Sequence, residues 1–537
     1  MSDYQPPIQD MMYVLYDLLG FDSGEYDRDT VEAILNEASK LSSGVLAPIN
    51  KSADEEGATL SDGNVKTAKG FKEAYATYCD GGWNAVPFDP EYGGQGLPWA
   101  MAFPIQEMWQ GANMSFGLCP LLNQGAVEAI YSHGSDKQKN YYLPNLISGK
   151  WTGTMNITEP QAGSDLGLLR TKAEKQTDGS YRITGQKIFI TYGDHDMAEN
   201  IIHLVLARID GAPDDVKGIS LFVVPKVMKS GERNQVDCGG LEHKLGIHAS
   251  PTCTMNFDGA FGELIGEENN GLKYMFTMMN NARLSVGLQG VAIAERSYQH
   301  AKHYANERIQ GKSFETGQRV AISQHADVKR MLLDMKSRIT AGRIMSYNAA
   351  MELDKAVKGD DDARLRVDFL TPIVKSWCTD MAVHVSSVGI QVYGGMGFIE
   401  ESGVAQYYRD SRILPIYEGT NGIQASDFIF RKVIRDNAVL AKTYINEMSG
   451  YVDSAYTDAL MQATEKMCEL AANNEMDELS WLSMPYLNAF GFIMAGAMVG
   501  TPSQSQGKID MINEEANQFY SRNILPFSMG YLSPIIR

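Results

Sequence analysis

The sequence predicts an α+β, multidomain fold: a helical N-terminal domain over residues 1–150, a middle β-barrel-like or β-sandwich domain over 151–270, a C-terminal helical bundle over 271–440, and an additional helical region over 441–537. Three features carry that reading. At 537 residues the chain is long enough for several cores. Its apolar period changes from helical to strand-like near residue 151 and back near 271. The strand-like segments form one block between helical blocks, an order that excludes an alternating βαβ unit with a parallel sheet.

Each block shows its signature locally. Residues 31–38 and 101–109 repeat apolar residues at helical spacing, with a glycine-rich break at 92–96 between them. An Asp178-Gly179 turn precedes 181–191, and 203–207 and 219–224 are short and β-branched, as strands are. Long helical patterns return at 290–308 and 326–348. The longest apolar run, 489–500, follows Pro485 and is shorter than the about 20 residues that span a bilayer, so a buried helix is expected there. No internal repeat, low-complexity segment or long charged tail interrupts this order.

Composition narrows the function. Hydrophobic residues make up 44% and charged residues 21%, as in a soluble globular protein. A formal charge of −19 argues against a surface for nucleic-acid backbones, while leaving room for one basic pocket around a phosphorylated cofactor. Six cysteines (Cys79, Cys119, Cys238, Cys253, Cys378, Cys468) lack CxxC spacing and read as reduced thiols, neither a disulfide framework nor a zinc site. The first residues show no basic region followed by an apolar one, so a cytoplasmic protein without a stable membrane span is expected.

The most informative stretch is 416–421 (Ile-Tyr-Glu-Gly-Thr-Asn), led by Arg409-Asp410-Ser411-Arg412. It sets the Glu418 carboxylate between the Tyr417 ring and Gly419, with the Thr420 hydroxyl next: a proton acceptor beside a backbone that a substrate can approach. Four further segments accompany it. Residues 155–165 gather hydroxyls, backbone amides and a glycine in one loop, suited to anion or flavin-edge contacts. In 187–191, Phe189 and Thr191 stand two apart, on one face of a regular strand. Arg308 ends a helix just before Gly311, where a phosphate ligand could sit. Residues 391–395 (Gln-Val-Tyr-Gly-Gly) offer bare backbone to a pyrophosphate. The glycines of 393–398 do not fit G-x-G-x-x-G, and no P-loop is present.

With these five segments in order, residues 30–440 resemble the acyl-CoA dehydrogenase family. The local wording at 155–160, 192–196, 241–251 and 307–311 is most similar to a bacterial branch with an extra C-terminal helical region, acting on fatty acyl-CoA or 3-methylmercaptopropionyl-CoA. The resemblance implies FAD as cofactor and α,β-desaturation of an acyl-CoA to the trans-2-enoyl-CoA, with Glu418 removing the α-proton as hydride passes from Cβ to FAD. It implies that Thr158, Ser164, Phe189, Thr191, Arg308, Gln310, Gln391, Gly394, Gly395 and Thr420 contact FAD, the glycine loop reaching the FAD of a neighbouring subunit. It places Ser164, Arg283, Tyr417 and Gly419 against the acyl-CoA. Some relatives carry the base immediately before the arginine; here that position is Ala282, which leaves Glu418 without a rival. Gly311 and Gly422 replace side chains that contact FAD in other members, and Asn280-Asn281 replaces an acidic residue.

The resemblance further implies an electron-transfer flavoprotein as acceptor and a homodimer or higher homo-oligomer. An oxidase using O2 is compatible with the same residues. A flavoprotein scaffold that binds nucleic acid through its C-terminal helices is not favoured: from 441 onward five lysines and arginines face eleven aspartates and glutamates. No metal is expected; His300, His303 and Glu307 share helical spacing but read as a solvated face. Met461, Met467, Met494 and Met498 read as adaptable core.

Overall fold

The computed structural model describes residues 4–502 and 508–536, so the first three residues, read above for a leader, and Arg537, counted in the C-terminal charge, lie outside the described residues. In chain order the principal elements are α1 (Arg28–Leu41), α2 (Trp99–Ala112), α3 (Met114–His133), α4 (Asp136–Ile147), β1 (Trp151–Asn156), β2 (Lys172–Lys175), β3 (Tyr181–Thr191), β4 (Asn200–Ile209), β5 (Ile219–Pro225), β6 (Val236–Leu241), β7 (Thr252–Ile265), α5 (Gly271–Glu307), α6 (Ala326–Val357), α7 (Asp361–Tyr393), α8 (Asn421–Asp427) and α9 (Met476–Gly500). The chain folds into two compact units. A helical unit gathers Met1–Ser43, Pro98–Ala112 and Arg283–Arg537; a β-containing unit gathers Gly44–Leu97 and Asn113–Ala282.

In the β-containing unit the sheet closes on itself: β4 pairs with β2, β2 with β3, β3 with β7, β7 with β5, and β5 again with β4. β1 adds in parallel to β4, and β6 extends β7. The barrel-like alternative is the one realised. Closure explains why β4 and β5 are apolar without alternation. Ile202, Leu204 and Leu206 of β4 join one hydrophobic cluster with residues of α3 and α4, while Val205 and Ala207 join a second with Phe222, Val224 and Phe257. Both faces are buried, so both must be apolar. Helix α3 approaches β1 so closely that a Cβ on Gly153 would lie 2.2 Å from the Ala126 methyl. Buried Asn123 locks the approach, accepting from the Gly153 N–H (2.9 Å) and donating to the Leu146 carbonyl at the end of α4 (2.9 Å). A capping box, Ser135 with Gln138, starts α4.

The helical unit is held by buried charge. Arg343 of α6 donates to Glu107 of α2 (2.6 Å) and Glu295 of α5 (3.0 Å), and the Tyr347 hydroxyl donates to Glu107 (2.6 Å). Asp354 of α6 accepts from the Trp99 and Ala100 amides, capping α2 from far along the chain. The expected buried helix at 489–500 is the second half of α9. That helix runs 25 residues and is long enough to cross a membrane, but 72% of its most apolar window is buried. Phe490 packs on Phe369 of α7 and on Phe428, and Gly491 faces Trp377. Of the four methionines read as core, Met467 and Met494 are buried here, while Met461 and Met498 are half-buried. His300 departs from the expected solvated face: it is buried against Tyr407, while His303 pairs with Glu307 at the surface. Four of the six cysteines are buried and all are free thiols.

In the β-containing unit, the Lys187 ammonium of β3 and the Glu159 carboxylate pair at 2.8 Å with almost no exposure. Burial acts to raise the Glu159 pKa, but Lys187 and hydrogen bonds from Thr171 and the Arg170 amide overcome it and hold it down at about 2. This depressed carboxylate stabilises fully above the ordinary value near 4.5, and the contribution disappears as pH falls toward about 2. Replacing Lys187→Met alone strands a buried carboxylate and is expected to cost about 3–5 kcal/mol. The double variant Glu159→Gln, Lys187→Met recovers much of that loss. Urea midpoints of both variants at neutral pH check this, and an unchanged midpoint in Lys187→Met would refute it.

Candidate active site

Glu418 lies in the helical unit, in the turn between Ser411 and α8. Its backbone is left-handed (φ 56°), as is that of Gly419 (φ 84°). For a glutamate this conformation is strained, and it persists only because the surroundings hold it. They do so through main-chain carbonyls. Arg283 Nε of α5 donates to the Glu418 carbonyl (3.2 Å), and Gln424 Nε2 reaches the same oxygen (3.3 Å). Lys375 Nζ of α7 donates to the Gly419 carbonyl (2.9 Å). Gly419 has no room for a side chain: a Cβ there would meet Gln424 Nε2 at 2.9 Å.

The next layer anchors these anchors. Lys375 also donates to Asn421 Oδ1 (2.9 Å), and Asn421 Nδ2 donates to Asp380 (2.9 Å) and Thr379 Oγ1 (3.1 Å). The Thr420 hydroxyl caps α8 by accepting from the Ile423 N–H (3.2 Å). The Tyr417 hydroxyl donates to Gln289 of α5, whose amide donates in turn to Gln110 of α2 (3.1 Å). The Glu418 side chain itself accepts no hydrogen bond from the described residues. Burial pushes its pKa up to about 7, with Arg283 and Lys375 pulling the other way. Burial pulls Lys375 down to about 7.

Arg283 is buried and bonded to the main chain of Glu418 itself, not placed against a substrate by any described contact. Arg409 pairs with Glu400 (3.2 Å). Elsewhere in the helical unit, Arg308 and Gln310 stand exposed at the start of the hairpin Ile309–Lys312 with Arg319–Ala321. Gln391 is exposed near the end of α7, and a Cβ on Gly394 or Gly395 would meet nothing within 4 Å. That leaves bare backbone of the kind a phosphate can approach.

The β-containing unit carries the other predicted group. The loop holding Thr158 is tied to β3 by the Ile188 N–H donating to the Thr158 carbonyl (2.9 Å) and by the Glu159–Lys187 pair. The side-chain hydroxyls of Thr158, Ser164 and Thr191 bond no described residue, and Ser164 is exposed. Phe189 and Thr191 do not follow simple strand alternation. The register of β3 on β7 shifts between Lys187 and Ile190, and Phe189 has φ 60°. This bulge turns the Phe189 ring, 58% exposed, out of the barrel wall. Within this unit, open hydroxyls beside an exposed ring are groups of the kind that suit the edge of a flavin.

Sequence reasoning missed Lys375, Gln289, Gln424 and Asp380. A signal for the lysine existed: it is the one charge in the otherwise uncharged stretch 369–379, and a buried lysine needs partners. Asn281 has a partner that the sequence did not offer, Glu128 of α3, whose carboxyl burial pushes up to about 8. Among the described residues no cluster suits a metal ion.

Residues 29–150, 154–260 and 269–432 match the N-terminal, middle and C-terminal domains of acyl-CoA dehydrogenases. The chain is 49% identical over 459 residues to 3-methylmercaptopropionyl-CoA dehydrogenase of Ruegeria pomeroyi, spanning 82% of this chain and 78% of that one. It is 36% identical over 485 residues to the broad-specificity linear acyl-CoA dehydrogenase FadE5 of Mycobacterium tuberculosis, spanning 84% and 79%. The solved structure of Caenorhabditis elegans ACDH-11 in complex with C11-CoA superposes with a TM-score of 0.82 at 21% identity, covering 98% of this chain and 93% of that one. That likeness of fold extends through the helices beyond residue 440.

The raised Glu418 pKa has a signed consequence for stability. The group binds its proton more tightly folded, near 7, than unfolded, near 4.5. Its contribution is therefore full at low pH and is lost as pH rises through about 7. Glu418→Gln is expected to match the parent's Tm below about pH 4.5, to exceed it progressively up to about pH 7, and to keep a constant margin above that. Parallel melting curves across pH would refute it.

Proposed function

Because the chain belongs to the acyl-CoA dehydrogenase family and is an FAD-dependent acyl-CoA dehydrogenase, we propose that Glu418 is the base that removes the α-proton of the acyl thioester. The observation that carries this reading is a carboxyl set on a strained, over-anchored turn, desolvated to about 7 and left without a side-chain partner among the described residues. FAD, when bound, supplies the acceptor for the hydride that leaves Cβ. An ordinary carboxylate is too weak a base for a thioester α-proton; desolvation strengthens it, and an acyl chain lying over it desolvates it further. The backbone N–H of Glu418 donates to no described residue and is available to the thioester carbonyl, where it stabilises the developing enolate. Arg283, Gln424 and Lys375 hold the turn by its carbonyls, leaving that N–H and the carboxyl to the substrate. Thr158, Ser164, Phe189, Thr191 and Thr420, with Arg308, Gln310, Gln391, Gly394 and Gly395, would hold FAD; Ser164, Tyr417 and Gly419 would border the acyl-CoA.

For the substrate we favour short unbranched acyl thioesters, with 3-methylmercaptopropionyl-CoA foremost, supported by the 49% identity to the Ruegeria enzyme. Exchanging its sulfur for a methylene gives pentanoyl-CoA. An apolar pocket separates such near-isosteres by only about 1–3 kcal/mol, so straight-chain acyl-CoA is a second substrate. Electrons leave to an electron-transfer flavoprotein rather than to O2. The glycine-cradle end of α7 and the exposed hairpin carry Phe398 and Phe314, 90% and 104% exposed, which supports burial against a second copy.

Anaerobic titration of the FAD-loaded protein with a panel of acyl-CoAs is expected to bleach the flavin with 3-methylmercaptopropionyl-CoA and with pentanoyl-CoA. Reduction by neither would overturn the substrate assignment. Turnover is expected to rise as pH passes about 7, the point at which Glu418 ionises. Glu418→Gln retains FAD and substrate binding but loses turnover by about 10²–10⁴-fold; near-parental turnover removes Glu418 from the chemistry. In sedimentation, a strictly monomeric species with stoichiometric FAD would exclude the shared cofactor site.

A further inference from the structure

The Glu418 turn is braced by Arg283, Gln424 and Lys375, and two of these braces are cationic side chains. Lys375 is buried in the middle of α7 with no exposure. Its two bonded acceptors, the Gly419 carbonyl and Asn421 Oδ1, belong to the segment that follows Glu418 (both 2.9 Å). A lysine needed only to satisfy one carbonyl is a poor choice for a core, because desolvating an ammonium costs far more than desolvating an amide. The asparagine is fixed so that its oxygen faces the cation: Nδ2 donates to Asp380 Oδ1, Thr379 Oγ1 and the Ser376 carbonyl (2.9, 3.1 and 3.3 Å). The anion on the same helix, Asp380, is thereby bonded to the asparagine and not to the lysine.

We propose that Lys375 is a positioning residue for Glu418, holding the left-handed Glu418–Gly419 turn by its carbonyl while its ammonium field sets the proton affinity of the Glu418 carboxyl. The inference rests on the reading of Glu418 as the base. The charges around Lys375 are few. Glu418 faces it from the turn, Asp380 from α7 and Arg283 from α5. Arg412 acts on Asp380, and Asp427 and Arg431 act on Arg283. Glu418 thus sits between two cations, and burial opposes both. Without the lysine, burial is offset by Arg283 alone, and the carboxyl keeps its proton to higher pH.

The test is the acidic limb of the kcat/KM profile in FAD-loaded protein. Lys375→Met is expected to move that limb up by at least about one pH unit, and Lys375→Arg, which keeps the charge, is expected to leave it in place even where kcat falls. If Lys375→Met does not load FAD, Asn421→Asp sets a carboxylate against the ammonium and is expected to move the limb the same way. A limb that stays put in Lys375→Met, or in Asn421→Asp where that variant replaces it, overturns the proposal, whatever happens to kcat. A second readout separates this outcome from failure of the base assignment. In D2O, 3,3-dimethylbutyryl-CoA has α-hydrogens but no β-hydrogen, so its α-exchange reports proton removal alone. If Glu418→Gln exchanges as fast as the parent, Glu418 is not the base and the Lys375 role falls with it. If Glu418→Gln loses exchange while the limb is unmoved in the lysine variant, only the Lys375 role is refuted.

Discussion

A charge cannot be buried without a partner, and that constraint fixes much of this structure. Arg343 is fully buried, and its carboxylate partners lie on α2 and α5 while it stands on α6. Stranding any one of the three would cost several kcal/mol, so the helices have little freedom to slide past one another. The same rule operates in the β-containing unit, where Glu159 and Lys187 tie the Thr158 loop to β3. It operates again at Lys375, whose acceptors are the residues just after Glu418. In each case a buried ion turns a packing preference into a register.

The Glu418 turn uses this rigidity to hold a glutamate where glutamates rarely stand. A left-handed Glu418 followed by a left-handed Gly419 costs conformational energy, and three separate side chains bond their carbonyls. Anchoring by carbonyls leaves the N–H and the carboxyl free for a substrate. The helices past residue 440 contribute from behind. α9 packs on α7 and α8, with Phe490 against Phe369 and Phe428, and Tyr444 stacks on Phe369 (4.9 Å). The C-terminal region thus supports the helix that bears Lys375 and the one that Thr420 caps.

Much of this was legible in the sequence because it is local. The switch from helical to strand period near residue 151 marks the barrel, and the Tyr-Glu-Gly-Thr stretch marks the turn. Other features escaped because their cause lies far along the chain. Phe189 and Thr191 obey alternation on paper, but a bulge set by the pairing of β3 with β7 turns the ring outward. His300 shares helical spacing with His303 and Glu307, yet it is buried against Tyr407, more than a hundred residues along the chain. The apolar run 489–500 underestimates α9, because polar residues (Asp477, Glu478, Ser480, Ser483, Asn488) interrupt its first half, where Leu479, Leu482, Tyr486 and Leu487 are nonetheless buried at helical spacing.

By itself the sequence determined the order of domains and singled out the carboxylate proposed as base and the hydroxyls and glycines proposed for a flavin, since each is written in contiguous residue types. Tertiary structure alone decided the properties of that carboxylate. Its proton affinity comes from desolvation in the folded protein, opposed by the cations of Arg283 on α5 and Lys375 on α7. Electrostatic fields and desolvation act through space, so no local stretch of residues can specify them.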